Sequence, residues 1–246
     1  MLLDIVILVL RETLEAGALL SVLLCVSTQH KLNLNWLWIG LVLGCTASVF
    51  YAINFSNIGE MFNYAGQELL NATMLLTICL GLVVLCYFLI FQKPRFLHPV
   101  VAPIMACVTT LVVARELVEL VIFFTGLIQS QGDIGKAATS GFIGLMIGTS
   151  FGVLCYVAIH SWRASISRRI QITMFTLIAA GMSVQATQLL IQIDWISASK
   201  PLWDTNWILT ESSITGQLTY AIFGYEATPT AHEIIFYNII VITVIA

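Results

Sequence analysis

Seven stretches of predominantly apolar residues leave this chain few folds to choose from. They run over 2–26, 36–55, 67–91, 99–128, 138–160, 170–193 and 231–246. A spanning α-helix needs about 20 such residues, and lipid offers no hydrogen-bond partner to an open strand or irregular backbone. Composition agrees: 59% of the 246 residues are hydrophobic, 9% are charged and mean hydropathy is +0.96, whereas soluble domains are about 25% charged. The expected fold is an all-α polytopic membrane protein, a single transmembrane domain over 1–246 with seven transmembrane helices. The seventh stretch is short; it either continues beyond the sequence or thins the bilayer locally. No basic n-region or small-residue cleavage site precedes the first stretch, so it is expected to stay as a helix.

Charge is informative here through its placement. Lys31, Lys93, Arg95, Arg163, Arg168 and Arg169 fall in alternate loops, while the other loops hold Lys136 and Lys200 against Glu60, Asp133, Asp204, Glu211 and Glu226. The positive-inside rule then puts the N-terminus outside and the C-terminus in the cytoplasm. No basic stripe is present, which excludes nucleic acid as a partner. The six cysteines (Cys25, Cys45, Cys79, Cys86, Cys107, Cys155) lie in apolar stretches without a Cys-x-x-Cys pair, and read as small packing hydrophobes.

Two of the stretches carry charge where it is least expected. Arg11-Glu12-Thr13-Leu14-Glu15 lies in the first and Arg115-Glu116-Leu117-Val118-Glu119 in the fourth, both of the form Arg-Glu-x-x-Glu. An ionised side chain near the centre of a spanning helix costs roughly 2.5–3.5 kcal/mol on insertion scales. Such groups face protein, water or an ion. The copies are 104 residues apart, and the same offset relates Gly40-Leu41-x-x-Gly44 to Gly144-Leu145-x-x-Gly148. Asn71-Ala72-Thr73-x-Leu75-Leu76 is likewise similar to Gln185-Ala186-Thr187-x-Leu189-Leu190. Helices one to three (about 1–91) therefore read as a repeat of helices four to six (about 99–193). Three helices is an odd number, so the repeat is inverted and a substrate site is expected near the midplane between its halves. The glycines at four-residue spacing, continued by Gly152, suit close helix packing within one subunit, with dimerisation the other reading.

Positions i, i+3 and i+4 are neighbours on a helix. Arg11 is thus expected to reach Glu15, and Arg115 to reach Glu119, leaving Glu12 and Glu116 without partners. Two such helices supply four carboxylates and two guanidiniums; Glu68, at the start of helix three, adds a fifth carboxylate or is held there by the helix dipole. All the ligands are oxygen, which suits hard cations and not Cu(I) or structural zinc. A highly charged hard ion such as Fe³⁺ gains most from clustered anions, although Mn²⁺, Mg²⁺ and Ca²⁺ share the preference. A purely structural salt bridge would not explain Glu12 and Glu116, since an unpaired buried charge is expensive. Glu233 reads as a cap in Thr230-x-x-Glu233, and Asp4 as interfacial. His30, His98, His160 and His232 fall at helix ends. A long outer loop, 194–230, holds a short apolar stretch from Ser213 to Phe223 ending at Gly224, expected as an interfacial or re-entrant helix with a left-handed cap. Trp195, Trp203 and Trp207 suit an aromatic belt.

With these residues the chain resembles the high-affinity iron permeases of the oxidase-dependent iron transporter family. The resemblance rests on the paired Arg-Glu-x-x-Glu motifs, Gln67-Glu68 with Ala72-x-x-Leu75-Leu76-Thr77, and Ala179-Ala180-Gly181. It extends to Leu202-Trp203-Asp204-Thr205 and Gly224-Tyr225…Pro229. Glu233 departs from it, standing where a glutamine is expected. The resemblance implies Fe³⁺ import across a plasma membrane or bacterial inner membrane, handled by Glu12, Glu15, Glu116 and Glu119, with Arg11 and Arg115 supporting the motif and no cofactor besides the transported ion. It also implies a separate ferroxidase or periplasmic iron-delivery partner. The alternatives are a carrier of another cation (Fe²⁺, Mn²⁺, Pb²⁺) or a proton-coupled cation exchanger. A carboxylate di-iron oxidase is disfavoured because such bundles use Glu-x-x-His, which this chain lacks; the expectation is a transporter and not an enzyme.

Overall fold

A computed structural model of the chain describes residues 2–91, 98–129, 134–210 and 213–245. Its helices are α1 (Leu2–Gln29), α2 (Asn35–Ile53), α3 (Phe55–Tyr64), α4 (Gly66–Phe91), α5 (His98–Gln129), α6 (Ile134–His160), α7 (Ala164–Gln192), α8 (Ile214–Phe223) and α9 (Ala231–Ile245). The described residues contain no strand, only an isolated antiparallel bridge between Pro201 and Thr230. The seven apolar stretches correspond to α1, α2, α4, α5, α6, α7 and α9. By length and composition, α2, α4, α6 and α7 are apolar enough to cross a membrane. The ends differ where a helix outruns its apolar segment: α7 starts at Ala164, and its polar first turns still bury Ser167 and Gln171.

α3 is new, occupying the connection between α2 and α4. It closes on Met61 in an extended conformation followed by Phe62, Asn63 and Tyr64 at φ 54°, 60° and 67°, a left-handed run that bulky residues rarely adopt. The turn brings the carbonyl of Ile58 against Gly66, where no side chain would fit. α8 is the short helix expected in the last loop. Ser213 caps it by accepting a bond from the Gly216 amide, and Gly224 ends it at φ 66°, the left-handed position that favours glycine.

The long helices pack in pairs, α1 along α6, α2 along α5 and α4 along α7, with α9 also on α7 and α8 across α1 and α7. Glycines set the first two contacts. A side chain at Gly40 or Gly44 would meet Thr109 or Val113, and one at Gly144 would meet Val9 and the Val6 carbonyl. Gly148 and Gly152 continue the row against Thr13 and Gly17. The four-residue spacing thus serves packing inside the chain. Val9 and Val113 each precede their arginine by two residues, so the packing matches Gly44 with Gly144, not with Gly148 as the 104-residue offset has it. The difference is one helical turn. It arises because Asn35 begins α2 24 residues after Arg11, whereas Ile134 begins α6 only 19 after Arg115.

The buried core fills one end of the bundle. Leu19, Leu23 and Val26 of α1 meet Ile78, Leu82 and Leu85 of α4, Met105 and Val108 of α5, and Phe175 of α7. Away from it, α2 and α6 turn Trp38, Val42, Phe50, Phe142, Ile147 and Leu154 outward, as a lipid-facing surface requires. Trp195, Trp203 and Trp207 are exposed. All six cysteines are free; Cys25, Cys79 and Cys86 pack in the interior, but Cys45 and Cys107 are exposed, because they sit on the outward faces of their helices. Lys93, Arg95, Asp133 and Glu211, used above for orientation, lie outside the described residues.

Candidate functional site

Above the apolar core, α1 and α5 approach one another and bring the two charged motifs together. Arg11 bonds Glu12 through Nε at 2.9 Å and Nη2 at 2.5 Å, and reaches Glu119 of the other helix at 3.3 Å. Arg115 bonds Glu116 at 2.8 Å and Glu15 of the other helix at 3.0 Å. Each arginine therefore holds the glutamate that follows it and the last glutamate of the opposite motif. Arg115 also pairs with Glu119 on its own helix at 3.1 Å.

Sequence spacing predicted only part of this. The Arg115–Glu119 pair is present, but Arg11 bonds Glu12 and Glu119 in place of the expected Glu15. Glu12 and Glu116 were expected to lack partners, yet each has one oxygen bonded to an arginine. Glu12 and Glu116 are held by the adjacent arginine of their own helix, a pairing that the i,i+3 and i,i+4 rule passes over, while the close approach of α1 and α5 accounts for the crossed bonds to Glu119 and Glu15. The expectation survives for the other oxygens: Oε2 of Glu12 and Oε2 of Glu116 are buried with no hydrogen-bond partner. The two carboxyl groups are close enough to interact electrostatically.

Burial is graded across the cluster. Glu12 is 0% exposed and Glu116 4%, whereas the side chains of Arg11 and Glu119 are 29% and 28% exposed. The exposed edge opens into a cavity of about 210 Å³, lined by Glu15, Glu119, Asn71, Gln185, Gln188 and Tyr220 among others. A second cavity of about 250 Å³ shares Arg11, Gln188 and Tyr220 with the first and adds Gly216, Gln217 and Glu226. Among the described residues, no three histidine, cysteine, aspartate or glutamate side chains converge to hold a metal ion. In the central cluster every motif glutamate is bonded to at least one guanidinium.

Glu68 occupies the first turn of α4, as expected. It forms no ion pair with the cluster; its Oε2 is buried without a partner, and it lies, like Glu119, within electrostatic range of Tyr51. Glu233 accepts from the Thr230 amide at 2.7 Å, so the cap is present. Asp4 is exposed. Five residues of the two cavity walls were given no site role from sequence. Gln185, Gln188 and Gln192 recur at helical spacing through an apolar helix, a signal of a polar face, but neutral amides stand out less than charges. Tyr220 and Glu226 come from the last loop, whose folding back onto α7 the spacing does not reveal.

No protein-family model, curated protein or solved structure matches this chain.

Proposed function

We propose that this chain is a membrane permease that imports ferric iron through the buried carboxylate cluster between α1 and α5 and the chamber beside it, which α4, α7 and α8 complete. One observation carries the reading: Glu12 and Glu116 bury two carboxylate oxygens without partners, side by side. Each unsatisfied buried acceptor costs about 1–3 kcal/mol, and more when charged. A cation between them answers both. All the nearby donor atoms on acidic residues are oxygens, which select a hard ion, and the highest charge gains most where water is excluded. Without cargo, Arg11 and Arg115 stand among the carboxylates and offset their charge; loading moves a guanidinium aside.

The same reading takes α1, α2, α4, α5, α6, α7 and α9 as seven spans, with α1, α2 and α4 repeated in inverted sense by α5, α6 and α7. Two features support it. The helix pairs α1–α6, α2–α5 and α4–α7 map onto one another under that exchange, and so do the crossed bonds of the two arginines. The Gln29–Ser167 bond ties the end of α1 to the start of α7, gathering Lys31, Arg163, Arg168 and Arg169 at the end filled by the core. With that end cytoplasmic, the cavities open outward and the packed core seals the inner side. The likeness to the iron permeases, which would assign Glu12, Glu15, Glu116 and Glu119 to iron and call for a separate delivery partner, supports the same conclusion.

The test is uptake of labelled ferric iron by proteoliposomes. Glu12→Ala, Glu15→Ala, Glu116→Ala and Glu119→Ala each abolish it while the protein still inserts; normal uptake by the Glu12→Ala/Glu116→Ala double variant sinks the proposal. Competition by Fe²⁺, Mn²⁺ and Pb²⁺ in the same vesicles decides whether another cation is the cargo, and an imposed pH gradient tests proton coupling.

A further inference from the structure

The last loop carries motif residues that the central chamber does not use, and their bonds converge on one place. The Leu202 amide donates to the Pro229 carbonyl at 3.0 Å and the Thr205 amide to the Ala227 carbonyl at 2.9 Å. The Tyr225 hydroxyl lies 2.8 Å from that of Thr205 and donates to the Leu209 carbonyl at 3.2 Å. At the end of α8, Gly224 seats directly on Gly181 of α7, backbone against backbone, with no room for a side chain on either. The result is a rigid strap across the outer face of α7. Glu226 lies on it between Tyr225 and Ala227, the two residues most firmly tied.

What the strap presents is a set of oxygens. Gln188 Nε2 donates to Glu226 Oε2, and the Tyr220 hydroxyl donates to Gln188 Oε1 at 2.8 Å. These three residues, with Gln217, Gly216 and Arg11, line the 250 Å³ cavity. Arg11, Gln188 and Tyr220 form its shared wall with the inner chamber. An ion arriving from water would meet this cavity before the buried carboxylates. We propose that it is an outer subsite for a hard multivalent cation, with Glu226 as its anionic ligand and Gln188, Gln217 and Tyr220 supplying neutral oxygens.

The donor set fits such an ion, since hard cations take carboxylate, amide and hydroxyl oxygens and keep part of their water shell. The cavity is large enough for a partly hydrated ion. Arg11 at the inner wall opposes tight binding, although its own charge is offset by Glu12 and Glu119. A weak outer station suits conduction, which needs binding favourable enough to capture an ion and weak enough to release it. The subsite rests on the permease reading for its purpose, but its existence is measurable without transport.

Terbium(III), a hard trivalent ion whose emission is sensitised by nearby tyrosine, serves as the probe, titrated into the purified protein in detergent micelles. In the Glu12→Gln/Glu116→Gln variant the buried carboxylate pair is disabled, and because Glu15 and Glu119 of the inner chamber stay bonded to the arginines, Glu226→Gln, which touches neither, reports the outer site. Adding Glu226→Gln should weaken it about tenfold or more, a loss of roughly 1.4 kcal/mol or above. Gln217→Glu should tighten it, a gain that misfolding cannot mimic. Tyr220→Phe should remove most of the sensitised emission. If Glu226 and Gln188 were only a latch holding α8 to α7, Gln217→Glu would leave terbium affinity unchanged, and that result overturns the subsite. So does the absence of sensitised binding in the Glu12→Gln/Glu116→Gln variant. Should that double variant transport iron normally while Glu226→Gln still abolishes the terbium site, the central chamber is wrong and the subsite stands.

Discussion

Replacing Glu116 with glutamine keeps the shape of the chamber and removes one formal negative charge. Arg115 donates to Glu116 Oε1 at 2.8 Å, and an amide oxygen accepts the same bond, at a loss of about 1 kcal/mol for the missing charge assistance. Against that, Oε2, now buried without a partner beside the equally unpartnered Oε2 of Glu12, becomes an amide nitrogen that donates to Glu12. Relieving two buried unsatisfied acceptors, at about 1–3 kcal/mol each, outweighs the loss and leaves a net stabilisation of about 1–5 kcal/mol. For a chain of this length each kcal/mol moves the unfolding temperature by about 2–4 °C. Thermal unfolding in micelles, followed by tryptophan fluorescence, should therefore rise by several degrees. Ferric iron uptake in proteoliposomes should be lost. A variant more stable than the parent and unable to transport is the signature of a carboxylate kept for its ligand. If the cluster were a structural salt bridge, Glu116→Gln would unfold earlier and leave transport intact; either result refutes the reasoning.

A methyl at Gly144 would lie 2.6 Å from the Val6 carbonyl, where the backbone cannot yield, so Gly144→Ala should cost about 1–3 kcal/mol in the same unfolding assay and depress uptake with it. Glu233→Gln preserves the acceptor for the Thr230 amide; stability should change by less than about 1 kcal/mol and iron uptake should not change, whereas a loss of uptake would make Glu233 part of the pathway. Cysteine placed at position 11 should react with a membrane-impermeant thiol reagent added outside, because the Arg11 side chain is 29% exposed, and cysteine at 115 should not, Arg115 being 9% exposed. The reverse pattern would invert the orientation.

The helices were legible because lipid leaves the backbone one economical way to bond, and apolar length marks it directly. The charged motifs were legible for the same reason: six ionisable groups in two apolar helices have few explanations. Their pairing was legible only within a helix. The i,i+4 rule finds Arg115–Glu119, but Arg115–Glu15 and Arg11–Glu119 depend on how closely α1 approaches α5, and that distance is set by residues elsewhere, among them the glycines that seat α6 on α1 and α2 on α5. The glycine register itself slipped by one turn, since Gly-Leu-x-x-Gly recurs at a spacing that equals the helix repeat and offers two alignments. α3 escaped notice because its end is a left-handed run of Phe62, Asn63 and Tyr64, residues that give no glycine-like signal of a turn.

The crossed arginines have a mechanical consequence. Neither α1 nor α5 can shift without stretching a bond to the other, since Arg11 reaches Glu119 at 3.3 Å and Arg115 reaches Glu15 at 3.0 Å. On the proposed permease reading, a cation that displaces Arg11 supplies the positive charge the carboxylates need and breaks one of the two cross-helix bonds, leaving Arg115–Glu15 as the remaining tie. Arg11 is the first to go, being the more exposed and lying on the wall between the two cavities. Arg115 holds three glutamates in the interior and remains. If the proposed inverted repeat governs the transport cycle, the inward-facing state exchanges these roles, with Arg115 at the open edge and Arg11 enclosed. On that reading the proposed cargo enters past one arginine and leaves past the other, which gives the duplicated motif its purpose.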